Sequence, residues 1–197
     1  MKASDQYIYT RSGKRIDPTD IKPEDIDIKD IAYALAGINR YGGHSRITVA
    51  MHSVAAAWAA KELGYDLLTQ QWALLHDAAE AYFGDVPKPM QQFVGEEWQI
   101  HYERCEDVIT LTLMEGVFPP YATRREVKEI DHALVVPEMD DGPGYPEHGE
   151  LDRSSELVRT CTVQTQRVWI DQALISGDDS GEDLFLEVAK ELGIKGA

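Results

Sequence analysis

The residues best suited to chemistry in this sequence are the pair His76-Asp77 and the nearby Glu80. Apolar residues recur around them at helical spacing: Trp72, Leu75, Ala79 and Tyr82. This period predicts one buried helix from about 67 to 82. An imidazole beside a carboxylate suits a divalent metal ion, and a glutamate one helical turn later can transfer a proton. An incidental His-Asp pair on the wet edge of a helix is the alternative, and this stretch alone does not decide between them.

Two further acidic or basic residues lie where a buried helix would normally be apolar. His52 falls in a predicted helix from 48 to 63, and Asp131 falls between apolar residues of a predicted helix from 123 to 139. A histidine on an apolar helix is most often a satisfied core residue, but His76-Asp77 needs a third donor if it binds a metal. A buried aspartate needs a strong partner, and a metal ion is one.

Arg40 is the candidate phosphate residue, because a guanidinium matches the geometry of phosphate oxygens. It ends a predicted helix from about 27 to 40, which Gly42-Gly43 is expected to terminate. The alternative at that position is an arginine that only complements the helix dipole. Lys88 is a similar candidate or a solvated loop residue, and Asp85 either caps the next helix or faces a pocket.

The rest of the chain predicts an all-α fold with a small N-terminal β-hairpin. The hairpin comprises 7–9 and 14–16, with Gly13 at the turn. Further helices are predicted at about 96–115, 152–175 and 183–192, and a long loop at 140–151. The helix that contains Asp131 is expected to begin with a capping box of Thr123 and Glu126.

Composition limits the classes of function. A chain of 197 residues with 43% apolar residues predicts one globular domain over 1–197. It carries 35 acidic against 19 basic residues, which disfavours binding to nucleic acid polymers. A small phosphorylated substrate remains compatible, because a metal ion and a local arginine can dominate the field in a pocket. The sequence shows no apolar run of about eighteen residues and no signal peptide. Cys105 and Cys161 lie far apart, so we predict no disulfide, no membrane association and a cytoplasmic location.

The ordered set His52, His76-Asp77 and Asp131 resembles the signature of the HD superfamily of metal-dependent phosphohydrolases. Met51-His52-Ser53 is similar to the context of the first histidine in that superfamily. The segment from His76 to Pro89 resembles the "HDxxE…GDxPxP" pattern of the branch with deoxyribonucleoside 5′-monophosphatases and phage dATP triphosphohydrolases. Ile38-Asn39-Arg40-Tyr41 resembles the "INR-aromatic" motif of that branch, which contacts phosphate and sugar. The resemblance covers residues from about 28 to 139.

This resemblance implies an HD-domain helical bundle that hydrolyses 2′-deoxynucleotides with metal-activated water attacking phosphorus. The implied metal ligands are His52, His76, Asp77 and Asp131. The implied metal is Mn²⁺, Co²⁺, Fe²⁺, Ni²⁺ or Zn²⁺, with Mg²⁺ also considered. Glu80 and Asp85 are the implied catalytic residues, and the implied substrate-binding residues are Arg40, Tyr41, His44 and Lys88. Whether the substrate is a monophosphate or a triphosphate stays open.

Two departures from the family pattern bear on the substrate rather than on the metal. Tyr41 stands where the monophosphatases usually have tryptophan, and the spacing from His52 to His76 is shorter than in the bacterial enzymes. His44 is a rival for the first metal ligand, but His52 is preferred because it lies on a helix and is followed by serine. His44 is then expected to be a pocket residue.

Three other functions compete with the leading one. A phosphodiesterase or a guanosine tetraphosphate hydrolase is the alternative among enzymes, and a nucleotide-binding protein without catalysis is the alternative from another class. The presence of Glu80 and Asp85 argues against the last. The expected partners are a small nucleotide and further copies of the chain. The aromatic residues Trp98, Tyr102 and Trp169 are assigned either to that interface or to the core.

Overall fold

The computed structural model describes residues 6–141, 152–175 and 181–197. These residues form an all-α bundle with a small antiparallel hairpin at the N-terminus, as the sequence predicts. The helices run in chain order as α1 Ile28–Ala36, α2 Val49–Glu62, α3 Leu67–Leu75, α4 Glu80–Phe83, α5 Lys88–Val94, α6 Glu96–Leu113, α7 Tyr121–Asp141, α8 Glu156–Ile175 and α9 Glu182–Glu191.

The hairpin pairs β1 (Ile8–Tyr9) with β2 (Arg15–Ile16) and closes one edge of the bundle. Ile16 is fully buried and joins the hairpin to the main core. Asp30 on α1 accepts hydrogen bonds from the backbone N–H and the hydroxyl of Ser12, at 2.9 and 2.6 Å. The hairpin is therefore fixed to α1 by one apolar and one polar contact.

Helix α2 is the centre of the bundle. Its residues are buried without a break from Val49 to Ala60, and α3, α7, α8 and α9 all pack against it. Six alanines in this run leave little side-chain volume between α2 and its neighbours. Thr48 caps the helix by accepting a hydrogen bond from the backbone N–H of Met51 at 3.2 Å. The first turn of α2 is thus rigid and enclosed.

The start of α9 lies directly against this first turn. Gly181 has a backbone φ of +84°, which favours glycine, and a Cβ there would be 2.9 Å from Cγ of Met51 and 3.7 Å from Cβ of Ala50. A side chain at this position would therefore be both strained and in collision with α2.

The first predicted helix is shorter than expected. It ends at Ala36 with Gly37 as its cap, so the prediction that Gly42-Gly43 terminates it is wrong. The chain then pairs with the residues before α2: the backbone N–H of Arg40 donates to the carbonyl of Ile47 at 3.0 Å. Because this segment is extended, Arg40 is not at the C-terminus of a helix and does not complement a helix dipole; it precedes the short 3₁₀ turn Tyr41–Gly43.

The predicted helix at 67–82 is interrupted at the residues of interest. Helix α3 ends at Leu75 and α4 begins at Glu80, with backbone hydrogen bonds of the tighter i to i−3 kind between them. Nδ1–H of His76 donates a hydrogen bond to the carbonyl of Ala73 at 2.8 Å. In a continuous helix, that carbonyl would accept the backbone N–H of Asp77 instead. A side chain thus replaces a backbone donor where the helix breaks.

Other boundaries also differ from the prediction. Helix α7 begins at Tyr121, so Thr123 is a buried residue inside it and the predicted capping box is wrong. Pro119-Pro120 sets this start, and the carbonyl of Pro120 accepts the N–H of Arg124 at 3.1 Å. Helix α5 was not predicted, because proline at its start resembles a helix breaker although the first turn tolerates it. Helix α7 continues to Asp141, so the first two residues of the loop predicted at 140–151 are helical, and 142–151 lies outside the described residues.

Cys105 on α6 and Cys161 on α8 are both buried and carry free thiols, which confirms the prediction of no disulfide. Burial raises the pKa of each thiol to about 12, so neither is a nucleophile near neutral pH. In the described part of the chain, no helix combines the length and apolar character needed to cross a bilayer.

Candidate metal centre

Three helices bring predicted metal ligands together. His52 lies in the first turn of α2, His76 caps the end of α3, and Asp131 lies on α7. One donor atom from each residue lies within 4.8 Å of the others. Nε2 of His52 is 3.3 Å from Nε2 of His76 and 3.3 Å from Oδ1 of Asp131. Adjacent ligands of one ion with bonds of about 2.0–2.2 Å are roughly 3–3.5 Å apart, so the group has the dimensions of a metal site.

Asp77 lies beside the same group. Its Oδ2 is 3.5 Å from Nε2 of His52 and 3.4 Å from Nε2 of His76. The structure therefore brings His52, His76 and Asp131 together as a donor group, with Asp77 within 3.5 Å of both imidazoles. Imidazole and carboxylate donors of this kind can hold a metal ion.

Outer hydrogen bonds orient both imidazoles. Nδ1–H of His76 donates to the carbonyl of Ala73 at 2.8 Å, and Nδ1 of His52 is hydrogen-bonded to Oε1 of Glu138. Each ring therefore holds its Nδ1 outward and leaves Nε2 for the centre. Carbonyl and carboxylate partners of this kind fix the tautomer of metal-binding histidines.

Glu138 is a site residue that the sequence reading missed. It is fully buried on α7 and also accepts hydrogen bonds from the hydroxyl of Tyr41 at 2.8 Å and from Nε of Arg40 at 3.1 Å. Burial acts to raise the pKa of Glu138, but the charges of Arg40 and His52 outweigh it and the pKa is lowered. The available signal was its position seven residues after Asp131, which is two helical turns along the same face.

Arg40 distributes its charge over three carboxylates. Its Nη1 is 3.1 Å from Asp77, its Nη2 is 3.6 Å from Asp131, and its Nε is 3.1 Å from Glu138. Burial acts to lower the pKa of Arg40, but these three carboxylates raise it further above its usual range. The guanidinium is therefore a permanent cation at the edge of the donor group.

The donor group is strongly coupled electrostatically. Burial and Arg40 act to lower the pKa of His52, but Glu138 and Asp131 outweigh them and raise it to about 10. Burial acts to raise the pKa of Asp131, but its hydrogen bond to His52 and the charges of His52, His76 and Arg40 hold it well below its usual range. The two residues therefore favour an imidazolium paired with a carboxylate until a cation replaces the proton.

The donor group opens into a cavity of about 490 Å³, within the range of small-molecule sites. Its charged lining residues are Arg40, Asp77, Glu80, Asp85, Lys88 and Asp131. Its apolar and aromatic lining residues include Val86, Pro87, Trp98, Tyr102, Val135 and Met139. The cavity thus offers both charged groups and flat or aliphatic surface to one ligand.

Most of the remaining predicted site residues face this cavity. Glu80, Asp85, Arg40, Tyr41 and Lys88 all line it. His44 does not line it and is exposed to solvent after a short 3₁₀ turn. The histidine in the donor group is therefore His52 and not its predicted rival.

Comparison with known proteins gives relatives over most of the chain. The chain is 32% identical over 150 residues to the protein YfdR of Escherichia coli K12, and the match covers 71% of the chain and 77% of YfdR. The chain belongs to the YfdR family. A YfdR-like relative in Rhodobacter capsulatus is 31% identical over 148 residues, which is 72% of the chain and 75% of that protein.

The family itself assigns no chemistry to the site. Both relatives are described as uncharacterized proteins. No family model matches the chain. What the YfdR-family site can do is therefore inferred from its own residues.

Glu80 is a carboxyl group with a strongly raised pKa. Burial, followed by the charges of Asp77 and Asp85, raises its pKa to about 9 from an ordinary value near 4.5. Its buried Oε2 has no hydrogen-bond partner among the described residues. Glu80 is therefore protonated near neutral pH and can donate a proton into the cavity.

Glu80→Gln is expected to abolish the decrease in stability that ionisation of Glu80 causes as the pH rises. The folded protein binds this proton more tightly than the unfolded chain does, so its stabilisation is complete below about pH 4.5 and disappears as pH rises to about 9. Between about pH 4.5 and pH 8 the free energy of unfolding of the wild type should fall by several kcal/mol relative to that of the variant. Urea unfolding in chelator at several pH values measures this.

Glu97→Gln is the matched control, because Glu97 is exposed at the start of α6. It should retain the wild-type dependence of stability on pH. An unchanged slope in Glu80→Gln would mean that Glu80 is already ionised in the folded protein.

Proposed function

We propose that this YfdR-family chain is a metal-dependent phosphohydrolase of 2′-deoxynucleotides. The observation that supports this most is the position of the donor group, with spacings of 3.3–3.5 Å, at the edge of a cavity that also contains a buried arginine. The resemblance of His52, His76-Asp77 and Asp131 to the HD signature points to the same chemistry.

The donor set fits a divalent ion of the Mn²⁺ to Zn²⁺ series better than Mg²⁺, which prefers oxygen ligands. His52, His76, Asp77 and Asp131 would hold it. A bound ion supplies an activated water and neutralises negative charge on the phosphoryl group. The protein contributes the fixed orientation of the two imidazoles through Glu138 and the carbonyl of Ala73.

The other residues of the cavity are assigned roles from their charge state and position. Glu80, protonated near neutral pH, donates a proton to the departing oxygen of the sugar or phosphate. Arg40 holds phosphate oxygens and offsets the charge that develops during transfer. Asp85 positions the reacting groups, and Lys88 adds positive charge at the cavity wall.

Tyr41 is the residue to which we assign selection against ribonucleotides. Its ring lines the cavity, and its hydroxyl is fixed by Glu138 at 2.8 Å. In the family that the sequence resembles, the aromatic residue after the arginine contacts the sugar. A rigid ring at that position leaves no room for a 2′-hydroxyl.

A metal and substrate screen tests the proposal. Protein stripped with chelator is supplied with Mn²⁺, Co²⁺ or Mg²⁺ and then with dNMPs, dNTPs and the matching ribonucleotides. Release of phosphate identifies a monophosphatase, release of triphosphate identifies a triphosphohydrolase, and both should require the ion. Absence of turnover under every condition would remove the proposal, and equal rates on ribonucleotides would remove the role of Tyr41.

A nucleotide-binding protein without metal chemistry is the second candidate, and Arg40 is the observation that favours it. The guanidinium already balances the charges of Asp77 and Asp131, at 3.1 and 3.6 Å. Equilibrium dialysis against Mn²⁺ and Co²⁺ separates the two candidates. Binding of nucleotide with no stoichiometric binding of metal would support this second function.

A further inference from the structure

Two stacked aromatic rings, those of Trp98 and Tyr102, line the cavity. Trp98 and Tyr102 are four residues apart on α6, and their rings are stacked with centroids 5.1 Å apart and planes 27° apart. Phe83 of α4 meets both edge-on, at 6.0 Å from Trp98 and 5.6 Å from Tyr102. The three rings hold each other in fixed orientations, so the pair is a rigid surface.

The pair differs from the aromatic residues of the core. Trp72 is 4% exposed and packs on all sides, whereas Trp98 and Tyr102 are half-buried and both line the cavity. Tyr102 packs partly against the core, as one of the two sequence predictions allows, and both rings also face the cavity. An apolar aromatic surface kept open to a cavity is a feature of ligand sites.

The same cavity is also lined by charged residues. Arg40 and the candidate metal centre suit an anionic group, while the aromatic pair suits a flat ring. A ligand that fills the cavity must therefore combine an anion and a planar ring within one small molecule. A nucleotide has this combination, and a sugar phosphate has only the first part.

We propose that Trp98 and Tyr102 form the nucleobase subsite, where the base stacks on the aromatic pair. This inference rests on the proposed function, because it names the part of the cavity that binds the rest of the nucleotide. Stacking uses the π face that all bases share, so the subsite accepts every base and favours the larger purines. Specificity for the nucleotide then arises from the combination of ring and phosphate.

Binding of dAMP and of 2-deoxyribose 5-phosphate, measured by calorimetry in chelator, tests the subsite without turnover. The wild type should bind dAMP more tightly than the sugar phosphate by roughly 10-fold to 100-fold, the range expected for one stacked base. In Trp98→Ala this preference should fall to nearly none. Trp98→Phe keeps a stacking ring and should retain most of the preference.

Phe93→Ala is the matched control, because Phe93 is an aromatic residue that is 76% exposed on α5 and does not line the cavity. It should keep the wild-type preference. An undiminished preference in a folded Trp98→Ala protein, or no preference in the wild type, would overturn the subsite. A preference for dAMP in a protein that hydrolyses no nucleotide would uphold the subsite while removing the phosphohydrolase.

Discussion

Asp77→Asn is expected to weaken binding of Mn²⁺ or Co²⁺ by at least about 100-fold. Loss of a residue that only hydrogen-bonds to a metal ligand weakens metal binding by up to about 100-fold, so loss of a ligand should weaken it at least as much. The change removes the carboxylate whose Oδ2 lies within 3.5 Å of both imidazoles. The amide keeps the same shape and still accepts a hydrogen bond from Arg40, so the fold should survive. Turnover should fall with the metal.

Thermal unfolding with and without metal measures this effect. Metal at 100 times its Kd should stabilise the wild type by about 2.7 kcal/mol, which is roughly 5–10 °C for a chain of this size. Asp77→Asn should show a shift of about 1 °C at the same concentration. Asp85→Asn removes the same charge from the cavity wall and should keep the full shift. A full shift in Asp77→Asn would show that Asp77 is not a ligand.

Glu138→Ala is expected to destabilise the fold by about 3–5 kcal/mol, the usual cost of removing one partner of a buried ion pair. It leaves the hydroxyl of Tyr41, the imidazole of His52 and Nε of Arg40 without their common acceptor. The midpoint of thermal unfolding should fall by roughly 10 °C. Calorimetry or circular dichroism in chelator measures the change.

Two further variants, Glu138→Gln in the site and Glu129→Ala on the same helix, separate the effect of burial on stability from the effect of charge. Glu138→Gln keeps an oxygen acceptor, so it should lose less stability but still bind metal about 10-fold to 100-fold more weakly. Glu129→Ala removes an exposed carboxylate of α7, and its stability should stay within about 0.5 kcal/mol of the wild type. If Glu138→Ala behaved like Glu129→Ala, the buried network would contribute nothing to stability.

The convergence of the four predicted ligands was accessible from the sequence, because each is an ionisable residue among the apolar residues of a predicted helix. Burial of such a residue requires a partner, and the partners here are each other. Glu138 escaped the same reasoning because it precedes Met139, Asp140 and Asp141. An acidic cluster after a proline resembles a solvated helix end, although Glu138 lies on the face of Asp131.

The sequence predicted that the side chain of Arg40 belongs to the site, but it placed the residue in the wrong backbone structure. The apolar period of Ile31, Leu35 and Ile38 continues past Gly37, so periodicity alone extends the helix to Arg40. The helix stops because the backbone of Ile38 pairs with the start of α2, where it accepts the N–H of Val49 at 2.9 Å. That pairing joins residues 11 positions apart, Ile38 and Val49, which helical periodicity does not reveal.

The break between α3 and α4 has a similar origin. Buried positions spaced three or four apart fit a continuous helix and a tighter turn equally well. The deciding contact is a side chain capturing a backbone carbonyl, His76 to Ala73. Local competition of this kind depends on a rotamer and not on a residue pattern.

Gly181 lets the C-terminal helix α9 pack directly against the first turn of α2, which contains His52 of the candidate metal centre. Its missing side chain lets α9 rest against Met51, the neighbour of His52, and a Cβ there would come within 2.9 Å of Met51. The packing around His52 thus depends partly on a residue 129 positions further along the chain. We therefore expect that removal of the residues after α8 would disturb the position of His52 as well as shorten the chain.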